Sequence, residues 1–548
     1  MRSRLLALSI VAASVLAASA QSPAELVDPF IGTAGGGNTF PGAVVPWGMV
    51  SVSPHNAPGS PSGYVHGEPY FYGLGHTHLS GTGCSDYGSV LLMVTDLRAG
   101  RRPQGGLWPA PTGGVARSTY RNETASPGFY SVVLDSPAVL IEASATLRSG
   151  ITRFTSLESG TIALLLNAGT SLGITGGGEV RIAGNGDDGS SASVSGPRVK
   201  ARRGIARQGD AGPGVTVEPG VTESRHSGAG RNPGTGNLDA DVESSESRAV
   251  VIGHNIGGGM CGELNRHLTY FSAEIDREPV ASGTWVGDEA SEEPFVSAAD
   301  LSLGAWLTFD VEAGESIEVR VGISYVSTEN AHLNVTMEQG DKTFSTIWKE
   351  AKADWDDRLS RISVTTGSRD ERTKFYTALY HSLIHPNVMD DVNGEYPLMG
   401  RGGVGIVSGR HRYSVYSLWD TYRTVHPLLT LLFPEIQGDM VQTMIDMNVE
   451  NGWLPKWELG ANETYLMVGD AAAIVVADTY VKGVRSFDVE KAFEAVVKAT
   501  TVSANGDAPL IRPGYHDLVL NGYIPADQDT TEEWWVWGPV STMLEYNL

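Results

Sequence analysis

The chain has 548 residues, which is enough for two or more domains whose hydrophobic cores need no extra cross-links. Glycine is abundant at 67 residues, which favours many turns and short strands over an all-helical protein. The formal net charge of −24 argues against nucleic acid and anionic membranes as partners, because no basic region is large enough to neutralise a phosphate backbone.

The first twenty residues have the pattern of a signal peptide. Arg2 and Arg4 precede an apolar run over Leu5–Leu16, and Ala18–Ala20 has the small residues of a cleavage site. The apolar run is shorter than the roughly 20 residues that a membrane span needs. We therefore expect cleavage after residue 20 and export to a periplasmic or secreted location, with no membrane span.

Residues 21–330 have the pattern of a β-sandwich. Ser316–Val326 alternates apolar side chains with polar or small ones, which indicates a strand with one buried face. The preceding stretch, Gly304–Val311, repeats the pattern, and a turn is expected at Glu312–Glu315. Many short strands with glycine and proline turns favour two packed sheets.

Residues 185–248 interrupt this strand region. Almost no large apolar side chain occurs there, so the segment cannot bury enough surface to offset the entropy of ordering. We expect a disordered insertion between two strands. Its basic run, Arg198–Arg207, is expected to be solvated rather than to bind nucleic acid.

The two cysteines, Cys84 and Cys261, both lie in glycine-rich segments that permit close backbone approach. In an oxidising compartment they could form a disulfide. Two buried free thiols remain the alternative.

The apolar pattern changes to a helical period near residue 328. Apolar residues from Phe344 to Ile362 recur at helical spacing, with Asp341 as the expected N-cap, and residues 331–365 are interpreted as linker helices. Residues 366–548 hold further helical segments, one closed by Gly483 and one capped by Asp488. Long loops join them, and such loops commonly carry functional residues.

The stretch Asn451–Ala473, NGWLPKWELGANETYLMVGDAAA, combines aromatic and acidic side chains before a helix. Glycoside hydrolysis needs one carboxylic acid to protonate the leaving oxygen, a second carboxylate, and apolar ring faces against the sugar. The candidates for these roles are Trp453, Trp457, Glu458 and Glu463. Asp470 is interpreted as the cap of the following helix, and core packing is the alternative for the tryptophans.

Five distinctive segments occur in chain order: LVDPFIGTAGGGNTFPGAVVPWGMVSVSPHN, GLGHTHLSGTGCSDYGSVLLM, YSLWDTYRTVHPLLTLLFPE, GWLPKWELGANETYLMVGDAAAIVVAD and GYIPAD. Together they resemble glycoside hydrolase family 92, whose members are calcium-dependent exo-acting α-mannosidases. The resemblance runs over residues 26–548 apart from the insertion. It implies an N-terminal β-sandwich, a helical linker and a C-terminal (α/α)6 barrel that is incomplete in this chain, with an inverting reaction in the cleft between the domains.

The family's general acid is the glutamate of an Asn-Glu-Thr motif, which implies Glu463 here. The resemblance also implies further contacts to the mannose or its neighbouring sugar: Asp86, Trp419, Asp420, Arg423, His516 and Asp517. Asp420 and Arg423 are three residues apart, so an ion pair between them is an open alternative. His76 and His78 are expected to line the cleft or to form core hydrogen bonds, because a zinc site needs more ligands.

The resemblance also implies a calcium cofactor, whose ligands stay unassigned. Ca²⁺ takes about six to eight oxygen ligands, and mannose offers its O2 and O3 hydroxyls as two of them. The family's general base lies well beyond Leu544–Tyr546, so we expect a truncated chain that lacks it. The expected function is removal of terminal α-linked mannose, α-1,2-linked, from oligosaccharides or glycoprotein glycans. A carbohydrate-binding remnant without turnover is the alternative.

Overall fold

The structure is a computed structural model that describes residues 21–57, 59–96, 116–183, 249–262, 265–287, 289–365, 367–400, 402–467, 469–501 and 519–523. The expected signal peptide at residues 1–20 and the expected insertion at residues 185–248 both lie outside these residues.

Antiparallel strands make up most of the described chain before residue 325. The first nine are β1 (Ala43–Val44), β2 (Ser51–His55), β3 (Gly73–Gly75), β4 (Leu91–Asp96), β5 (Tyr120–Ser126), β6 (Phe129–Asp135), β7 (Ala138–Ala145), β8 (Ser149–Ser156) and β9 (Gly160–Asn167). The next eight are β10 (Gly177–Ala183), β11 (Ala249–Gly258), β12 (Arg266–Ile275), β13 (Ala281–Val286), β14 (Glu289–Ser291), β15 (Phe295–Ala299), β16 (Leu303–Val311) and β17 (Ser316–Ser324).

These strands form two sheets that bury their apolar faces against each other. One sheet has the spatial order β1-β2-β3-β4-β9-β16-β13-β14, and the other β15-β10-β11-β12-β17-β8-β7-β6-β5. Their shared core includes Val52, Leu164 and Leu307 from the first sheet and Val132, Phe271 and Val321 from the second. The expected β-sandwich is confirmed. β17 alternates partly buried and buried residues from Ser316 to Val321, as its pattern predicts, and is buried at every position from there to Ser324.

Two helices pack on the second sheet and connect it to the rest of the chain. They are α1 (Thr328–Glu338), which contacts β17 and β12, and α2 (Phe344–Leu359), which contacts β7. Thr343, rather than the expected Asp341, caps α2, because its hydroxyl accepts the Thr346 N–H at 3.3 Å. The predicted cap at Asp341 is therefore wrong, because Thr343, two positions later, is also a capping residue type and makes the hydrogen bond.

The chain beyond residue 365 is helical, with short strands between the helices. The helices are α3 (Arg369–Ser382), α4 (Leu418–Thr421), α5 (Val425–Leu432), α6 (Pro434–Asn451), α7 (Ala471–Val481) and α8 (Val489–Thr501). The strands are β18 (Asn387–Val388), β19 (Glu395–Pro397), β20 (Val404–Ile406), β21 (Tyr413–Ser414), β22 (Tyr416–Ser417), β23 (Trp457–Leu459) and β24 (Asn462–Glu463). Gly483 follows α7 with a φ of 98°, and Asp488 accepts the Lys491 N–H ahead of α8, as expected.

The helical region has its own apolar core, which also takes in the start of the chain. Ala24, Phe40 and Trp47 pack in this core with residues of α3, α6 and α7. The Trp355 indole N–H donates to the Val44 carbonyl at 2.6 Å and ties α2 to β1. The N-terminal segment therefore connects the sandwich and the helices. Within the described ranges, no helix has the length and apolar character needed to cross a membrane.

Candidate active site

A two-residue turn presents Glu463 at the edge of a small sheet. β22, β23 and β24 form this sheet, in which Glu458 pairs with Glu463 and Leu459 with Asn462. Gly460 and Ala461 form the turn, with φ values of 58° and 61°. Positive φ at both positions is the geometry of a tight hairpin whose twist matches its strands. The Asn-Glu-Thr motif is therefore the return strand of a hairpin.

The Glu463 carboxylate is held by three backbone amides. The N–H groups of Trp457 and Tyr465 donate to Oε1, both at 3.0 Å, and the Lys456 N–H donates to Oε2 at 2.8 Å. Burial raises the pKa of Glu463, although these N–H groups and the Lys456 charge favour the ionised form. A carboxyl group with a raised pKa keeps its proton closer to neutral pH, as a general acid requires.

Glu458 and Trp457 lie beneath this turn instead of at a surface. Glu458 has no exposed area, and its Oε1 accepts the Ala461 N–H at 2.7 Å and the Ser414 hydroxyl at 3.0 Å. Its Oε2 accepts the Val415 N–H at 3.1 Å. Trp457 belongs to the sandwich core. The expectation that these two side chains contact sugar directly does not match this placement, because protein groups already surround them.

Asp86 is also buried, against the expectation that it lines the mannose pocket. Its Oδ1 accepts from His267 Nε2 at 2.7 Å, and its Oδ2 accepts from Asn265 Nδ2 at 3.2 Å. Cys84, two residues earlier, forms a disulfide with Cys261, with the two Cα atoms 5.2 Å apart. Cys84 and Asp86 are thus both held to the β11–β12 hairpin, Cys84 by a covalent bond and Asp86 by hydrogen bonds.

Trp419, Asp420 and Arg423 form an accessible polar group around α4. Asp420 and Arg423 are exposed, and the Ser417 hydroxyl donates to the Asp420 carboxylate. Arg423 donates from Nε to the Trp419 carbonyl at 3.2 Å, and its guanidinium lies 4.4 Å from the centre of the Trp419 ring. These contacts account for both residues without the ion pair left open from their spacing. β22 directly precedes α4 and pairs with β23, so this group directly follows a strand of the sheet that contains Glu463.

No local sequence pattern reveals the residues that hold the hairpin against the sandwich. Asn462 Nδ2 donates to the Arg266 carbonyl at 3.0 Å. A Cβ on Gly460 would lie only 3.1 Å from the Cβ of His267, so the turn sits directly on β12. Contacts across almost 200 residues have no local periodicity to reveal them. His516 and Asp517, the other predicted sugar contacts, lie outside the described residues.

The histidines of the sandwich form core hydrogen bonds. His78 Nε2 lies 2.9 Å from His55 Nε2, and His76 Nδ1 lies 2.6 Å from the Val90 carbonyl. Burial lowers the pKa of His76 to about 4 and that of His55 to about 3, so both rings are neutral at neutral pH. Across the described part of the chain, no group of three or more His, Cys, Asp or Glu side chains is arranged to hold a metal ion.

Both halves of the chain match models of one protein family. The N-terminal domain model of glycosyl hydrolase family 92 matches residues 26–204 and 215–324, and the catalytic domain model of the same family matches residues 330–548.

Solved structures and a curated relative agree with this match. A family GH92 alpha-mannosidase from Bacteroides thetaiotaomicron is 25% identical with a TM-score of 0.75, over 96% of this chain and 61% of that one. The same enzyme in complex with mannoimidazole is 26% identical with a TM-score of 0.75, over 96% and 60%. An uncharacterized secreted glycosidase of Arthroderma benhamiae is 25% identical over 261 residues, which are 45% of this chain and 29% of that protein.

The chain thus spans about 60% of the solved mannosidase and less than a third of the fungal protein. The N-terminal domain model alone covers more than half of the chain, and the order of sandwich, connecting helices and helical region agrees with the solved structure. This chain belongs to glycosyl hydrolase family 92.

Proposed function

We propose that the chain acts as an exo-α-mannosidase that removes terminal α-linked mannose from oligosaccharides or glycoprotein glycans. The observation that carries the proposal is Glu463, a partly exposed residue on the return strand of a hairpin whose carboxyl group has its pKa raised by burial. Family membership and a relative solved with mannoimidazole support the choice of substrate class.

Glu463 is the proposed general acid. Its Oε1 already accepts two amide hydrogen bonds, whereas Oε2 accepts one, so Oε2 keeps a lone pair for the transferable proton. In the reaction, the bond from the anomeric carbon to the leaving oxygen breaks as this proton moves to that oxygen. Water attacks the anomeric carbon from the opposite face, as an inverting reaction requires. We assign no described residue as the base for that water.

The proposed sugar contacts are Trp419, Asp420 and Arg423. The exposed carboxylate can accept hydrogen bonds from sugar hydroxyls, and the guanidinium can donate them. His516 and Asp517 are proposed contacts to the neighbouring sugar on the basis of their sequence motif. The proposed part of Asp86, Trp457 and Glu458 is to hold the hairpin in position, since each is buried.

Calcium enters this proposal through family membership. The described residues contain no cluster of three or more His, Cys, Asp or Glu side chains suited to a metal, so they do not fit a carboxylate-rich calcium site. No step of the reaction is therefore derived through the ion. The proposed α-1,2 linkage and the proposed export with a cleaved signal peptide rest on the sequence, and a relative described as secreted supports the latter.

Two substrates with different leaving groups test the role of Glu463. An α-1,2-linked mannobiose needs a proton on its leaving hydroxyl, whereas a dinitrophenyl α-mannoside leaves as a stable phenolate. Glu463→Gln is expected to lower hydrolysis of mannobiose by about 10²–10⁴-fold and to lower hydrolysis of the aryl mannoside much less. Assays run with calcium and with a chelator measure the metal requirement.

Glu435→Gln is the matched control, because it removes one carboxylate from the exposed first turn of α6. Equal losses on both substrates in Glu463→Gln would contradict the general-acid role. Binding of mannose or mannobiose without any turnover by the wild-type chain would instead favour the carbohydrate-binding alternative.

A further inference from the structure

Two carboxylates face each other across the candidate hairpin. Glu458 on β23 and Glu463 on β24 are directly paired residues of an antiparallel ladder. Side chains of directly opposite residues project from the same face, with their Cβ atoms about 4.5–5.5 Å apart. At this spacing the charge on one carboxylate acts on the other. The pKa of Glu458 is raised first by burial and further by the charge on Glu463.

Both carboxylates are bound mainly by backbone N–H groups. Glu458 accepts from Ala461, Val415 and the Ser414 hydroxyl. Glu463 accepts from three amides that flank the same turn. Such hydrogen bonds orient a carboxylate but bring no positive charge to cancel its repulsion of a neighbouring carboxylate.

The cations around this pair do not form ion pairs with Glu458. Arg412 lies close enough to influence Glu458, but its two terminal nitrogens bond to Glu450 at 3.1 and 2.8 Å. The Lys456 charge acts on Glu463, where it favours the ionised carboxylate. The titratable and charged groups that face the two glutamates from the surrounding elements are Tyr87, Tyr325, Arg412, Tyr416, Lys456 and Tyr465.

The buried tyrosines around the two glutamates do not titrate near neutral pH. Burial raises the pKa values of Tyr87, Tyr325 and Tyr416 above the ordinary value, so these phenols are uncharged at neutral pH. Burial also raises the pKa of Glu458 to about 7. A proton bound to one glutamate therefore changes the affinity of the other for its own proton.

We propose that Glu458 is a positioning residue whose charge controls the proton on Glu463. When Glu458 is ionised, its negative charge strengthens proton binding by Glu463. When Glu458 holds a proton, Glu463 releases its proton more easily. Glu458 also positions the turn, because one of its oxygens accepts the Ala461 N–H. The catalytic meaning of this coupling rests on the proposed role of Glu463 as general acid, but the coupling itself does not.

Titration of the full chain tests the coupling without any need for turnover. In protein labelled with ¹³C at the glutamate carboxyl carbon, the two glutamates are assigned by their loss in Glu458→Gln and Glu463→Gln. Glu458→Gln is expected to move the Glu463 midpoint to lower pH. Glu463→Gln is expected to move the Glu458 midpoint to lower pH by an equal amount, because coupling between two sites is reciprocal.

Glu435→Gln, which removes an exposed carboxylate, is expected to move neither midpoint. Backbone amide spectra of each variant verify that the fold is kept. If a Gln at 458 disrupts the hairpin, the reciprocal variant at 463 still measures the coupling. Midpoints that do not move in either variant would overturn the proposal.

The outcomes also separate this inference from the proposed function. Coupled midpoints in a chain that hydrolyses no mannoside would leave the coupling intact and reject the mannosidase assignment. Hydrolysis that requires Glu463, with independent midpoints, would support the mannosidase assignment and reject the coupling.

Discussion

His267 and Asp86 form a buried pair, with Nε2 of the imidazole 2.7 Å from Oδ1 of the carboxylate. The two residues are 181 positions apart in the chain, and less than a twentieth of either side chain is exposed. The turn residue Gly460 packs directly on His267. Asp86 therefore supports the strand on which the Glu463 hairpin rests, and we expect it to contribute to the candidate site by positioning that hairpin.

Asp86→Ala is expected to lower the free energy of unfolding by about 3 kcal/mol, because it leaves His267 and Asn265 without their buried acceptor. Urea unfolding followed by tryptophan fluorescence measures the change. Asp357→Ala, at a side chain that is 63% exposed, is the control and should change stability by less than about 0.5 kcal/mol. A stable Asp86→Ala protein with weakened mannose binding would instead support a direct sugar contact.

The Cys84–Cys261 disulfide joins positions 177 residues apart. Closing so long a loop restricts the unfolded chain, and native disulfides typically contribute about 2–4 kcal/mol. The Cys84→Ser/Cys261→Ser double variant is expected to lose stability in this range. Thiol titration of the unreduced, unfolded wild-type protein should find no free thiol among the two cysteines. Two reactive thiols under those conditions would contradict the pairing.

Local patterns predicted the elements of this fold well where a helix or strand has one buried apolar face. The strand at Ser316–Ser324 follows from its alternation, and the helix at Phe344–Leu359 follows from its apolar spacing. The cap of that helix was misplaced because both Asp341 and Thr343 are capping residue types. Hydrogen-bond geometry, which a single sequence does not contain, decides between them.

The candidate site was harder to predict, because a carboxylate in such a motif can either contact a ligand or accept hydrogen bonds from the backbone of a turn. Glu458 and Glu463 are five residues apart in one acidic and aromatic stretch, yet one is fully buried and the other partly exposed. The difference arises from Ser414 and Val415, more than 40 residues earlier, which enclose Glu458. Contacts of this range decide which carboxylate can meet a substrate.

Asp391, at the junction of sandwich and helices, is expected to make stability depend on pH. Its carboxylate accepts from Ser324 at the end of β17 and from Asn330 and Asn334 on α1, at 2.7–2.8 Å. Burial nevertheless raises the pKa of Asp391 to about 6. The unfolded residue titrates near about 3.9, so between these values the folded state binds a proton that the unfolded state has released. The free energy of unfolding due to Asp391 therefore falls as pH rises from 4 to 6.

Asp391→Asn removes this titration and is the test of its sign. The stability of the wild type minus that of the variant is expected to fall by on the order of 2 kcal/mol between about pH 4 and pH 6, and then to stay level. Urea unfolding at intervals of pH gives this difference directly. A difference that rises with pH would mean that the three hydrogen bonds outweigh burial and hold the folded carboxylate ionised.

Gly322 sets how closely α1 packs on the sandwich. A Cβ at this position of β17 would lie 1.9 Å from the Ala331 carbonyl oxygen and 2.7 Å from a methyl carbon of Val335. A backbone oxygen in a helix cannot rotate away as a side chain can, so Gly322→Ala must displace α1. Overpacking of this kind costs about 1–3 kcal/mol, and we expect the upper end of that range.

The same substitution at Gly367 separates packing from the loss of glycine itself. A Cβ there meets no atom of the described chain within 4 Å, and the backbone has no positive φ. Gly367→Ala should therefore leave stability unchanged or raise it by up to about 1 kcal/mol, because the unfolded chain loses freedom. If urea unfolding finds the two variants equally stable, α1 is not held against β17 at this distance. The Asp391 contacts from α1 would then be looser in solution as well, since Asn330 and Asn334 move with that helix.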